Sequence, residues 1–351
     1  MSKKMFLIFK DGTVFEGKGF GAENEVTGEF VFTTDMIGYE NNLSDKGYYG
    51  QIVMQTFATV GNYGFNHEAI ENSTYLKGYV VREWCEKPSN FMCEGTLDEF
   101  LKLKNITGIY GVDTRAITKF IRENGTMNAM ISSYIPDDLS KISDYKLGNV
   151  YPNISKNSVV YKPSSEEKYR VTLIDFGVKK STVDFLNSLG CTVNVVPHNI
   201  TSPEILKDKP DGIVLSEGPE SISEYLYIQN EIKNLIGECP ILALSVGHQI
   251  LAAACGGKLE KLPYGHRGSS QPVKHTDGIR TYITHQNHGF IVSEVPSNAS
   301  VIFKNANDGS CEGLYYTDKK AISVQFDIDT SGGPHDTSFI YTEFLKMMEE
   351  K

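Results

Sequence analysis

Ser245 stands where an apolar run, Ile241 to Leu244, meets a stretch that reads as a helix from His248 onward, within PILALSVGHQILAAACG at residues 240–256. A small residue at a sharp turn from a buried strand into a helix has the geometry of a nucleophile elbow. Its side chain is pushed clear of the sheet, and the helix N-terminus aims unpaired N–H groups at whatever binds there. The chemistry would be attack of the Ser245 hydroxyl on a carbonyl carbon, which needs a well-placed base. Other reactive side chains offer little. The six cysteines, at 85, 93, 191, 239, 255 and 311, show no metal-ligand spacing and read as reduced, mostly buried thiols. Cys255 lies ~15 Å along the same helix from Ser245 at helical rise, so a packing role is expected. His266, His275, His285 and His288 fall in one short region but lack the i, i+4 spacing of helical ligands, and no metal is expected.

The elements that would hold Ser245 show in the strand–helix alternation around it. YRVTLIDFG reads as a strand, KKSTVDFLNSLG as a helix stopped by glycine, and CTVNVVP as a strand. SPEILKD is a short helix, DGIVLSEGPE a strand and tight turn, and ISEYLYIQNEIKNLIG a helix leading into the Ser245 strand. Such alternation predicts a mostly parallel sheet with helices on both faces, an α/β domain. Ligands bind such sheets outside the carboxyl ends of the strands, so the turns after LIDFG, IVLSEG and ILALS should face one crevice. Later strands (PVKHT, IRTYITHQ, SVIFKN, EGLYYT, AISVQF) and a helix from Asp336 complete the domain.

Residues 1–150 differ. MFLIFKDG, TVFEGKGFG and GEFVFTTDM read as strands between glycine turns, followed by a loop-rich stretch from IGYENNLSDKGYYG through TVGNYGFNHE. YLKGYVVREWC is a further strand. Thr96 with Glu99 forms a capping box ahead of a helix, and a second helix stops at Gly125. This is a smaller, mixed α+β domain. Residues 151–168, rich in Pro, Ser, Asn and Lys and without a sustained period, read as a linker, leaving 169–351 as the second domain.

The 351 residues suffice for two cores, and the net charge of −10 argues against nucleic acid as a partner. No apolar run approaches the ~20 residues of a membrane span, and the N-terminal apolar run is too short for a signal peptide. A cytoplasmic protein is expected.

Across nearly its whole length the chain resembles the small subunit of carbamoyl phosphate synthetase, which carries a class I glutamine amidotransferase domain. The resemblance rests on IGYENNLSD, QIVMQT, VGNYGFN and GVDTRAITKFIRENGTMNA in the first half. In the second it rests on LIDFGVKK, DGIVLSEGPE, LSVGHQILAAACGGK, KLPYGHRGSSQPVK, ITHQNHGFIV and SGGPHD. It implies a subunit that hydrolyses glutamine and passes ammonia to a separate large subunit for carbamoyl phosphate synthesis, serving arginine and pyrimidine biosynthesis. No cofactor is implied. In the family a cysteine attacks the amide, and a histidine oriented by a glutamate two residues later acts as base and acid.

All three of those positions differ. Ser245 stands at the cysteine, and VQFDIDTSGGPHD places Asp327 at the histidine and Asp329 at the glutamate. An aspartate with an ordinary pKa of ~3.9 is a poor general base at neutral pH. Asp327 and Asp329 flank Ile328 and would share a face in a strand. The resemblance also implies substrate-contact positions at Gly218, Gln249, Asn287, Gly289 and Phe290, with Val246 offering an oxyanion N–H. It departs at Gly47, where the family has serine, and at Glu220, where the family has glycine. Glu220 puts bulk and negative charge at the crevice mouth. His288 and His248 read as structural, and His335 and Asp336 as belonging to the final helix start.

The expectation is thus a small-subunit homologue that has lost glutaminase activity, retaining a fold, a surface for a large subunit and weak affinity for glutamine at most. Two alternatives are an active subunit using Ser245, and a binding module that senses glutamine.

Overall fold

The computed structural model describes residues 3–66, 74–155, 157–278, 280–328 and 335–350. The chain forms two compact units, residues 1–148 and 149–351. Among the described residues, no helix is long and apolar enough to cross a membrane.

In the first unit nine strands are described: β1 (Lys4–Phe9), β2 (Val14–Gly21), β3 (Val26–Thr33), β4 (Gln51–Gln55), β5 (Thr59–Val60), β6 (Gly78–Val81), β7 (Glu83–Trp84), β8 (Thr107–Tyr110) and β9 (Met127–Ser132). Seven close into a barrel in the order β1-β2-β8-β6-β4-β3-β9, while β5 and β7 pair apart from it. Closure removes sheet edges and lets short strands bury one face. The helix Leu97–Leu103 starts at the Thr96–Glu99 capping box, and Thr114–Asn124 ends at Gly125, whose φ is +81°. The loop-rich reading fails at QIVMQ. Residues 51–55 form a strand in the middle of the barrel sheet, with Ile52, Val53 and Met54 fully buried. Five residues are too few to show a period, and no turn residue interrupts them.

The second unit holds β10 (Val159–Tyr161), β11 (Tyr169–Asp175), β12 (Cys191–Pro197), β13 (Gly212–Leu215), β14 (Ile241–Leu244), β15 (Lys258–His275), β16 (Thr281–Glu294), β17 (Ser300–Asn305), β18 (Cys311–Tyr316) and β19 (Ala321–Val324). They form one sheet in the order β10-β12-β11-β13-β14-β19-β18-β17-β15-β16. The five strands from β12 to β19 are mutually parallel. β10 and the four strands beyond β19 pair antiparallel. Alternation splits each central strand between two cores. Ile213, Leu215, Ile241 and Ala243 pack with the helices Ser202–Lys207, Ile222–Leu235 and Val246–Ala254. Val214, Leu242 and Leu244 pack with Lys180–Ser188 and Phe339–Glu349. Fully burying one such aliphatic side chain stabilises by ~1.5–3 kcal/mol relative to exposure. The last helix begins at Phe339 rather than at Asp336. His335 and Asp336 are exposed, and His335 accepts a turn hydrogen bond from Ser338 N (3.3 Å).

The stretch read as a linker, 151–168, is partly built into this unit. A helical turn, Tyr151–Ile154, carries a fully buried tyrosine whose ring meets Phe176 edge-on at 5.5 Å and whose hydroxyl donates to Pro219 O (3.1 Å). Val159–Tyr161 then adds the edge strand β10. One buried aromatic ring and three exposed residues paired along β12 tie in a stretch whose polar composition concealed them.

Candidate functional site

The turns at the carboxyl ends of the parallel strands meet, as the alternation predicts. After β11, Phe176 N donates to Ser216 Oγ (2.9 Å) in the turn after β13. Gly177 and Gly218 approach so closely that a Cβ built on Gly177 would lie 2.9 Å from Gly218 Cα. A Cβ on Gly218 would lie 2.0 Å from Phe176 O, so only glycine fits there.

Ser245 follows β14 with φ +49° and ψ −109°, a conformation L-residues rarely adopt. Its N–H donates to Val324 O at the end of β19 (2.8 Å), and its carbonyl accepts from His248 N (3.1 Å). Val246 is buried at the first helical position, and Gly247 presses on β13, where a Cβ would meet Leu215 O at 2.4 Å. This is the predicted elbow. Among the described residues, no side chain hydrogen-bonds to the Ser245 hydroxyl. His248 points away beneath the helix: its Nδ1 lies 2.8 Å from Ser323 Oγ, and burial pushes its pKa down to about 3.

Asp327 lies just beyond β19 and is buried. Lys179 Nζ donates to its Oδ2 (2.7 Å), and His285 Nδ1 lies 2.8 Å from the same oxygen. A backbone bridge, Asp327 N to His285 O (3.0 Å), fixes the pair. Burial alone would raise the Asp327 pKa. The Lys179 charge and the His285 hydrogen bond outweigh it and hold the carboxyl well below the usual carboxylate range. Asp329 lies outside the described residues.

Lys179 and Glu217 were not picked out from the sequence, and His285 was noted only within a run of histidines. Glu217 sits in the turn after β13, fully buried, with Oε1 accepting from Lys179 N (2.7 Å) and Thr182 Oγ1 (2.7 Å). Its other oxygen has no partner among the described residues, and burial raises its pKa to about 6. The sequence signal was the charge carried by LIDFGVKK and LSEGPE, which face one crevice once the sheet is parallel.

Most of the pocket positions converge on Glu220. Its Oε1 accepts from Gln249 Nε2 (2.7 Å) and Phe290 N (2.9 Å), and its Oε2 accepts from Gly289 N (2.7 Å). Tyr225 Oη donates to Gln249 Oε1 (3.1 Å), which turns the Gln249 amide nitrogen toward the carboxylate. Arg267, on β15, adds positive charge nearby. Glu220 therefore engages three of the expected contact positions instead of merely standing at the crevice mouth. Asn287 pairs in register with Arg267 and is half-buried. His288 is buried, with Nδ1 2.9 Å from Phe290 O, and braces the same segment. Gly47 belongs to the first unit, where its N–H donates to Asp45 Oδ1 (2.7 Å). Cys255 caps the end of the elbow helix, half-buried against the core.

Chemically, the elbow presents a hydroxyl to which no base among the described residues is hydrogen-bonded. Beyond β19, Asp327 is an ionised carboxylate paired with Lys179. Asp327, held ionised, is a poor proton acceptor at neutral pH, whereas the buried Glu217 beside Lys179 has its pKa raised to about 6.

Two family models cover the chain. The carbamoyl-phosphate synthase small chain, CPSase domain, matches residues 7–131, and glutamine amidotransferase class-I matches residues 172–347. A carbamoyl phosphate synthase small chain of Clostridium perfringens is 40% identical over 347 residues, covering 98% of this chain and 99% of the relative. The small chain of Streptococcus pneumoniae is 41% identical over 352 residues, covering 99% and 98%. The pyrimidine-specific small chain of Bacillus subtilis is 39% identical, covering 99% and 96%.

Proposed function

Because the chain belongs to the family of carbamoyl phosphate synthase small chains, we propose that it is a small subunit from which the glutamine-hydrolysing step has been lost. It serves to bind a large synthetase subunit and hold it in a state that uses free ammonia. The observation that carries this reading is the Lys179–Asp327–His285 cluster at the position of the family's catalytic histidine.

Amide hydrolysis needs a group that removes a proton from the nucleophile and then delivers it to the departing nitrogen. Asp327 is held ionised by Lys179, so at neutral pH it has no proton to give, and its low basicity makes it a poor acceptor. The serine hydroxyl, unlike a thiol with a pKa near ~8.5, has almost no ionised fraction of its own. Loss of a single triad member costs roughly 10⁴–10⁶ in kcat in a protease template, so substitution at all three leaves little beyond positioning. Partner binding needs none of these groups.

The test is glutamate release from glutamine by the purified chain, alone and with a large synthetase subunit, alongside carbamoyl phosphate formation from ammonia, bicarbonate and ATP. The expected result is no glutamate above background and an ammonia-dependent reaction in the complex. Glutamine turnover that Ser245→Ala abolishes would overturn the reading in favour of a serine nucleophile, which the strained elbow at Ser245 supports. Failure to co-purify with a large subunit at micromolar concentration would overturn the partner role.

A further inference from the structure

The Glu220 carboxylate is seated against the edge strand β16. β16 is the edge strand of its sheet, so N–H groups on its outer side have no strand to pair with. The ladder with β15 also breaks there: His266 pairs with His288 and Lys261 with Phe290, leaving four residues of β15 opposite Gly289 alone. The N–H groups of Gly289 and Phe290 are left to other partners. Together with Gln249 Nε2 they form a three-donor cradle drawn from a strand bulge and a helix. The charge of Arg267 stands beside it. Three donors and a guanidinium around one point match a carboxylate better than any neutral group. Gly289 is needed for the fit, because a Cβ there would come within 3.2 Å of both Glu220 Oε2 and Arg267 Nη2.

We propose that the Glu220 side chain is a built-in occupant of this cradle, a tethered carboxylate seated where the carboxylate of a free α-amino acid would otherwise bind. The tether is short. Glu220 follows Gly218 and Pro219, a turn locked by the Gly218–Phe176 approach and by the Tyr151 hydroxyl on Pro219 O. The carboxylate is therefore presented at high effective concentration, and a free ligand must displace it. A plug seated about 99% of the time weakens apparent affinity about 100-fold. This deepens the preceding reading, since it places a block at binding in addition to the block at hydrolysis.

The experiment is calorimetric titration of the full chain with L-glutamine and with L-glutamate, for wild type, Glu220→Gly and Glu220→Ala. Wild type is expected to show no binding at millimolar ligand. The variants are expected to gain about 100-fold in affinity for at least one of the two amino acids. Gly289→Ala added to the folded variant should abolish the gain. Wild-type binding in the micromolar range would overturn the proposal, and so would two folded variants that bind neither ligand. If both variants fail to fold, NMR of wild type decides: shifts of the Gly289 and Phe290 amides on glutamine addition at micromolar concentration overturn it, and none up to millimolar supports it. Because the readout is binding, wild-type affinity without glutamate release defeats this inference and leaves the loss of hydrolysis standing. Glutamate release defeats both.

Discussion

Lys179 Nζ and Asp327 Oδ2 lie 2.7 Å apart, an ion pair between residues 148 positions distant in the chain that neutralises the carboxylate beyond β19. The pair is largely buried, with the lysine side chain 24% exposed and the aspartate 8%. Lys179→Met should leave a buried carboxylate held by His285 alone and lower stability by about 1–3 kcal/mol, less than a fully buried pair because water reaches the lysine. Lys179→Met with Asp327→Asn should recover most of that loss. Urea unfolding of the four-member cycle measures the coupling, and additive losses would show that the pair contributes nothing.

Ser245 is held at φ +49° by the packing of the elbow helix. Glycine adopts that backbone without strain, so Ser245→Gly should raise stability by about 0.5–1 kcal/mol, while Ser245→Ala, which keeps the Cβ, should not. Denaturant midpoints at matched m-values test this. A serine making an important hydroxyl contact would instead lose stability in both variants.

Glu217 has its pKa raised to about 6 by burial, above its ordinary value of 4.5. Its contribution is therefore full below about pH 4.5 and is lost as pH rises through about 6, amounting to about 2 kcal/mol of lost stability at pH 7. Glu217→Gln, which places a donor where the unpartnered oxygen stands, should stabilise the protein at pH 7 by up to that amount. The advantage should vanish near pH 4.5. Unfolding curves for both proteins at several pH values provide the check.

His248 behaves in the opposite sense. Its folded pKa of about 3 lies below the ordinary 6.5, so the fold favours the neutral ring. Stability is full above about pH 6.5 and falls by about 1.4 kcal/mol per pH unit below it as the unfolded chain takes up the proton. His248→Gln should lose about 2 kcal/mol less than wild type between pH 7 and pH 5. An unchanged pH slope would show that other groups set the acid limit.

The elbow was legible because its signals are local: four apolar residues, a small residue, a glycine and a helical pattern in one short window. The parallel sheet followed from alternation, and the family from blocks such as GVDTRAIT and LSVGHQ. The barrel was not legible, since closure depends on pairings such as β2 with β8, which no local period encodes. The serine at 245 and the aspartate at 327 could be read directly as departures from the family's cysteine and histidine. The cluster around Asp327 could not, because Lys179, Asp327 and His285 come from three separate segments and meet only through the sheet order. Glu220 was noticed as an intrusion. That its carboxylate turns onto Gln249, Gly289 and Phe290 depends on a ladder break between β15 and β16 that leaves no mark in residue type.

The close approach of Gly247 to Leu215 separates what this motif needs to fold from what it needs to react. A methyl group at 247 would collide with the carbonyl of Leu215 on β13, whereas position 245 already carries a side chain at the turn. The same holds for Gly218 against Phe176. The backbone therefore demands these glycines whatever side chain stands at 245. The outline of the elbow motif is, in this domain, a record of steric necessity, set by Gly247 against Leu215 and Gly218 against Phe176.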